Sequence, residues 1–424
     1  MRCASCAGPP TAEAMRVWFI NRFYWPDEPA TAQLLGDLAE ALAARGWPVG
    51  AIASHPGDAS TPARETRHGV EIHRLHGPRR GRTAVGGKLV DYLLFLLGAA
   101  WHGLLSFRRG DVVVAMTDPP MLGVVLWPIA ALRRVRLIHW TQDIYPEVAM
   151  ALTTRPALRW TLGRLRGPRN FAWRHCAGCV TLGREMAGLI GRNGVVPDRV
   201  AVVPNWAPRG LGPPSAQVLE HQRTAWQLAD KFAVVYSGNL GRVHDLEPVL
   251  AVAEALRDVA GMVFLFVGTG PRQGSLAAQV RARGLPNVRF LPPQPRAQLG
   301  AVLAAGDLHL VTLRPGCQSV VFPSKFYGIA AVARPLVFIG PRDCELAALV
   351  QDRALGFAFT RDETAALAAC LRRLAATPDE CRALGAAAAE FHRREDGLAH
   401  AVTVWEKLLG PDAPPPPPGR RDGA

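Results

Sequence analysis

Lysine and cysteine are both scarce in this chain. Arginine supplies nearly all of the 49 basic residues, a bias that a GC-rich genome produces by itself. Eight cysteines in 424 residues build no dense framework, which argues against a disulfide-stapled secreted scaffold and fits a reduced, cytoplasmic protein. Two CxxC pairs exist, Cys3/Cys6 and Cys176/Cys179. Zinc is disfavoured at both: the first lies in an unpatterned tail, and the second stands where small apolar residues open a strand. No zinc-finger, RNP or basic-helix signature accompanies the arginines, so no nucleic-acid partner is expected. Residues 1–14 lack the charged start and apolar core of a signal peptide, and the folded chain is expected to begin near Met15, a candidate initiator. Long uninterrupted apolar runs are missing too. The stretch 89–107 contains Asp91, His102 and two glycines, and 121–132 is too short to span a bilayer. Both read as helices packed on a sheet; the alternative for the first is a helix resting its apolar face on a membrane.

With 49% hydrophobic and 20% charged residues, the chain is globular and long enough for two domains. Its net charge of +14 is uneven: residues 16–208 hold 24 Arg and Lys against 14 Asp and Glu. An excess of this kind suits anionic lipid headgroups or a diphosphate substrate.

Apolar runs at 16–21, 49–54, 70–75, 111–116 and 135–140 alternate with helical patterns, which predicts parallel strands joined by crossover helices. A strand at 176–182, a helix and the segment RVAVVPNWAP lead into a Pro- and Gly-rich linker. The pattern then restarts at 232–238, 262–268, 288–292, 308–313 and 336–339, and residues 363–409 read as helical. The expected organisation is an extension 1–14, an α/β domain 15–205, a linker 206–230, a second α/β domain 231–387, a helix 388–410 and a Pro-rich tail 411–424.

In parallel sheets ligands gather at the carboxyl ends of strands, and the loops there carry the chemistry. Pro323, Ser324 and Lys325 form a helix start in which Ser324 is the expected cap. A Lys in the first turn opposes the helix dipole unless an anion, most simply a phosphate, shares the site; the bland reading is a surface Lys beside a good cap. Gly238 and Gly241 let backbone N–H groups approach a diphosphate, and Arg242 and Lys325 can neutralise it. GTGPRQG departs from the dinucleotide fingerprint at Gln273, which disfavours a nicotinamide cofactor. In the first domain Asp27 and Glu28 in the loop 23–33, Asp118 after the fourth strand and Asp143 after the fifth converge if the strands are parallel. A carboxylate there can serve proton transfer from a sugar hydroxyl, or Asp118 and Asp143 can simply cap the helices that follow.

The ordered set FYWPDEPATAQ, TDPP, QDIYPE, VPNW, YSGNLG, VGTGP and PSKFYGIAAVARPLVFIG resembles glycosyltransferase family 4, in particular its colanic-acid and O-antigen branch, across nearly all of residues 15–410. The resemblance implies the GT-B fold: α/β, with two facing Rossmann-like domains built on parallel sheets. It implies a retaining transferase that uses no metal or other cofactor, with a UDP-, GDP- or dTDP-sugar held by the second domain and the acceptor by the first. The final helix is implied to cross back to the first domain. Carried onto this sequence, the diphosphate falls to Gly238, Asn239, Arg242, Ser324 and Lys325, and the acceptor to Trp25, Asp27 and Glu28. Asp143 and Asp118 are the catalytic candidates. The family's paired glutamates fall near Val320 and on Gly328, so Glu345 is the substitute for the ribose or sugar, and the His after the fifth strand is Gln142 here. The expected acceptor is a polyprenyl-diphosphate-linked saccharide, the expected location cytoplasmic or peripheral on the inner membrane face. The competing readings are a UDP-sugar 2-epimerase-like enzyme and a non-catalytic GT-B subunit that binds a partner transferase.

Overall fold

The computed structural model describes residues 15–58, 60–76, 85–395 and 397–410. Cys3, Cys6 and the tails 1–14 and 411–424 lie outside them. The first sheet contains β1 (Val17–Ile20), β2 (Val49–Ser54), β3 (Arg64–Arg67), β4 (Val70–Leu75), β5 (Val112–Ala115), β6 (Arg136–Trp140), β7 (Gly178–Thr181) and β8 (Val200–Val202), in the order β3-β4-β2-β1-β5-β6-β7-β8. The second contains β9 (Phe232–Ser237), β10 (Met262–Val267), β11 (Val288–Leu291), β12 (Leu308–Thr312), β13 (Leu336–Ile339) and β14 (Gly356–Phe359), in the order β11-β10-β9-β12-β13-β14. Every strand pair is parallel except β3 with β4. Helices cover both faces of a parallel sheet, which is why β1, β5 and β10 are continuous apolar runs buried throughout rather than alternating ones. The edge strand β3, RETR, is partly exposed along its length and carried no such signal.

The linker region is more structured than its prolines and glycines indicate. Ser215 caps a helix, Ala216–Ala225, which packs on Leu299–Ala304 in the second domain. The last helix, Gly397–Leu409, returns to the first domain and lies on Ala30–Ala44. There Trp405 is fully buried, with its ring 5.2 Å from Trp140 and 5.9 Å from Phe19. The helix Lys325–Ala331 packs under Pro378–Glu395, the helix that precedes the crossing back to the first domain.

Cys176 and Cys179 are buried free thiols with sulfurs 3.7 Å apart, and among the described residues no cluster has the makings of a metal site. The helix Val85–Ser106 sinks Phe95 and Ala99 into the core. Its segment Leu89–Ser106 is long and apolar enough to cross a membrane by length and composition.

Candidate active site

The two domains enclose a cavity of about 440 Å³. From the second domain it is lined by Ser237, Gly238 and Asn239 at the carboxyl end of β9, by Val243 and His244, and by Pro323, Ser324 and Lys325. From the first come Gln33, Leu34 and Asp37 of the helix Ala30–Ala44, and Asp143 from the loop after β6. The strand-end rule therefore places a ligand where both sheets point.

Lys325 is the centre of the second domain's wall. Its Nζ is enclosed, has no hydrogen-bond partner among the described residues and stands 3.6 Å from the centroid of the Tyr236 ring. Burial alone lowers its pKa to about 7. Gly238, at φ +120°, passes so close that a Cβ there would lie 3.5 Å from Nζ. The loop is held from below: Tyr236 Oη donates to the Asn239 carbonyl at 3.0 Å. Gly268 packs where any Cβ would lie 2.3 Å from the Gly238 carbonyl oxygen, so the GTG segment supports the β9 loop and has a structural reason for its first glycine. His244 donates Nδ1–H to the Thr312 carbonyl at 2.8 Å. Burial, reinforced by the charge of Lys325, pushes its pKa to about 3, so the ring stays neutral at all physiological pH values.

Two expectations meet a different geometry: the placement of Arg242 and the cap at Ser324. Arg242 is exposed and lies outside the cavity, because the turn directs Val243 and His244 inward instead. Ser324 occupies the N-cap position but its side chain makes no capping bond, since its backbone is already helical (φ −80°, ψ −13°) rather than extended; it lines the cavity.

On the opposite wall Asp143 donates its backbone N–H to Thr117 Oγ1 at 3.3 Å and forms a β-bridge to Val321 of the second domain. The Ile144 N–H donates to the Val320 carbonyl at 2.8 Å, which fixes this loop against the other domain. Burial, with a contribution from the Asp118 charge, raises the Asp143 pKa to about 6. Asp118 itself is bound by Arg22 Nε at 3.0 Å and lies behind Asp143, outside the cavity. Neither carboxylate caps a helix, as the N-cap positions are Met121 and Pro146. Trp25, Asp27 and Glu28 do not line the cavity either: they sit on the loop that leads into its Ala30 and Gln33. The Trp25 ring lies under the Arg67 guanidinium at 3.9 Å.

Glu345 is placed elsewhere. It lines a separate cavity of about 220 Å³ and reaches across the domain boundary, accepting the Arg184 backbone N–H at 2.6 Å and Nε at 3.3 Å. Gln142 is likewise occupied, exchanging amide hydrogen bonds with Asn205 at 3.1 and 3.3 Å. Sequence reasoning missed Tyr236 and Asp37. The signal for Asp37 was a carboxylate set between the buried Leu34, Leu35 and Leu38 of LLGDLAEAL; it is satisfied by Trp206 Nε1 at 3.2 Å and by Arg209.

The family described as Glycosyl transferase 4-like domain matches residues 31–206, and that described as Glycosyl transferases group 1 matches residues 231–377. WcaI of Escherichia coli (strain K12), named as a colanic acid biosynthesis glycosyl transferase, is 34% identical over 173 residues, 40% of this chain and 42% of that protein. WbjE of Pseudomonas aeruginosa, named as a glycosyltransferase, is 25% identical over 269 residues, 62% of this chain and 65% of that one. The matched stretches thus span less than two thirds of either relative's length. Among solved structures, Anabaena HepE in complex with UDP-glucose is similar over 93% of this chain and 99% of its own, with a TM-score of 0.71 at 16% identity. That likeness carries the fold, GT-B.

Proposed function

Because the chain belongs to the family 4 glycosyltransferases, built on the GT-B fold, we propose that it moves a sugar from a nucleoside-diphosphate sugar to a saccharide acceptor in bacterial surface-polysaccharide synthesis. The observation that carries the reading is the enclosed ammonium of Lys325 beside Gly238, a cation held in a cavity between two domains. The diphosphate supplies the counter-charge that the protein does not, and in return Lys325 stabilises the charge that grows on the leaving group. In this reading Lys325, and not a metal, neutralises the diphosphate. The complex of HepE with UDP-glucose, on the same fold, supports a nucleotide-sugar donor.

In the transfer the acceptor hydroxyl oxygen bonds to the anomeric carbon while the bond from that carbon to the β-phosphate oxygen breaks. On a retaining course the acceptor arrives on the face that the diphosphate leaves, so the departing phosphate oxygen is the nearest acceptor for the hydroxyl proton. Asp143, the carboxylate that reaches the cavity from the first domain beyond Asp37, then orients the hydroxyl by a hydrogen bond. We assign the acceptor as a polyprenyl-diphosphate-linked saccharide and the protein to the inner face of the cytoplasmic membrane, on the strength of its basic, partly apolar first domain.

A thermal-shift titration with UDP, GDP and dTDP and their sugars tests the donor site, since bound ligand raises the melting temperature. Stabilisation by one nucleotide class, abolished in Lys325→Ala, supports the reading. No response to any of them overturns it and favours a non-catalytic subunit.

A further inference from the structure

Three helices lie side by side over one face of the first sheet: Val85–Ser106, Leu122–Arg133 and Arg166–Arg174. The inner sides of this layer are explained by the core, where Phe95, Leu126 and Trp173 are buried. The outer side is not. On the first helix Leu89, Leu93, Leu97, Trp101 and Leu105 recur at every fourth position, and each is more than half exposed. The short helix Pro156–Arg164, which packs beside the third, buries none of its residues and presents Trp160 at 65% exposure. Solvent-facing helices ordinarily carry charge there, so an apolar stripe of this length marks a surface that something covers.

The charge on the same layer says what covers it. Across the four helices there is one carboxylate, Asp91, and from Val148 to Gly183 there is none at all. Arg155, Arg159, Arg164 and Arg174 are exposed, and Arg108 and Arg109 follow directly on the stripe. A protein partner would have to offer an acidic and apolar surface together; a bilayer with anionic headgroups offers both by construction. We propose that this layer is the membrane-docking face of the protein, with the stripe from Leu89 to Leu105 lying in the interface of an anionic bilayer and the arginines on its headgroups. The helix lies on the bilayer and does not cross it, because its Phe95 and Ala99 side is committed to the core. The same helix carries Tyr92, 4.7 Å from the Arg22 guanidinium that binds Asp118. The docked face therefore continues toward the Asp118 and Asp143 loops, which is the approach a lipid-borne acceptor needs. This inference rests on the lipid-linked acceptor assigned above.

The test is co-sedimentation of the full chain with vesicles of phosphatidylcholine containing 30% phosphatidylglycerol, beside vesicles of phosphatidylcholine alone, at two salt concentrations. Binding to the anionic vesicles that falls with salt is expected. It should weaken by roughly tenfold or more in Arg155→Gln/Arg159→Gln, and as strongly in Leu97→Gln/Trp101→Gln. Equal binding to both vesicle types, no binding, or variants that bind like the natural protein would overturn the proposal. So would a concentration-dependent dimer that the Leu97/Trp101 variant dissociates, because a second copy would then cover the stripe. The melting-temperature response to UDP, read on the same preparations, separates the two ideas. Lost vesicle binding with an intact UDP response sinks the docking face alone, and vesicle binding without any nucleotide response sinks the donor site alone.

Discussion

The ammonium of Lys325 stands 3.6 Å from the centroid of the Tyr236 ring and makes no hydrogen bond to any described residue. A ring face recovers part of a cation's lost hydration but brings no counter-charge. Burial therefore brings the pKa down to about 7, and the free protein holds a lysine close to half protonated at neutral pH. A bound diphosphate reverses the balance by pairing with the charged form.

Binding of UDP should accordingly take up a proton above pH 7. Below pH 7 the lysine is charged with or without ligand, so affinity is at its full value. As pH rises past 7 the free form loses its proton while the complex keeps it, and affinity should fall by up to about tenfold per pH unit. Isothermal titration at pH 8.5 in two buffers of different ionisation enthalpy measures the uptake, and the terminal phosphate of UDP is itself fully ionised there, so the proton taken up goes to the protein. Lys325→Met should abolish both the binding and the slope. The same substitution should raise the melting temperature of the ligand-free protein at pH 6, because the native state then no longer encloses a charge.

Asp143 is the acidic counterpart. Its pKa is raised to about 6 by burial and by Asp118, so between the unfolded value near 3.8 and pH 6 the native state retains a proton that the unfolded chain has lost. Stability conferred on the native state is thus present below pH 4 and lost as pH rises to 6. At pH 7.5 Asp143→Asn should stabilise the protein by on the order of 2 kcal/mol, discounted for the water that reaches the carboxylate through the cavity, and at pH 4 it should change nothing. Urea unfolding at the two pH values checks this. Transfer activity should fall in the same variant, since the amide oxygen is a weaker acceptor for the sugar hydroxyl.

Glu345 should behave as a clamp between domains and not as a donor contact. Its carboxylate accepts two bonds from Arg184 and none from the Lys325 cavity. Glu345→Ala should leave the UDP dissociation constant within about twofold while loosening the domains, which small-angle scattering reads as a larger radius of gyration. Removing a charged acceptor from a backbone N–H should cost about 1–3 kcal/mol. A tenfold loss of UDP affinity with unchanged shape would restore the ribose assignment.

The expectation for Glu345 shows where sequence reasoning stops. Parallel strands, their order of appearance and the loops that line the cavity were legible because each rests on a local signal: an apolar run, a Gly at a turn, a Pro before a helix. Lys325 was found by such a conflict, a cation in a helix's first turn. The outward placement of Arg242 was not legible, because one turn decides which of two adjacent side chains faces inward, and nothing local in GRVH sets that. Glu345 depends on which elements meet across the domain boundary, and Asp37 on the segment around Trp206 folding back onto its helix; pairing at that range leaves no trace in spacing. The antiparallel edge strand β3 escaped for a different reason: an edge strand with one neighbour and partly exposed residues has no apolar pattern to display.

The last helix offers the most direct test of how the two domains are tied. Trp405 fills a site against Phe19 and Trp140 at the heart of the first domain, although it follows the whole of the second in sequence. Arg136 fastens the helix end by donating to the carbonyls of Leu408, Leu409 and Gly410, groups that no further turn satisfies. Trp405→Ala should destabilise the protein by about 3–5 kcal/mol, and Arg136→Gln by about 1 kcal/mol. The larger loss should appear first as local release. In hydrogen exchange the amides of Gly397–Leu409 should lose protection well before those of β9 and β12, because only the first domain's grip on the helix has been removed. If protection falls equally in both sheets, the helix is a strut of the whole molecule, and the domains do not open without unfolding.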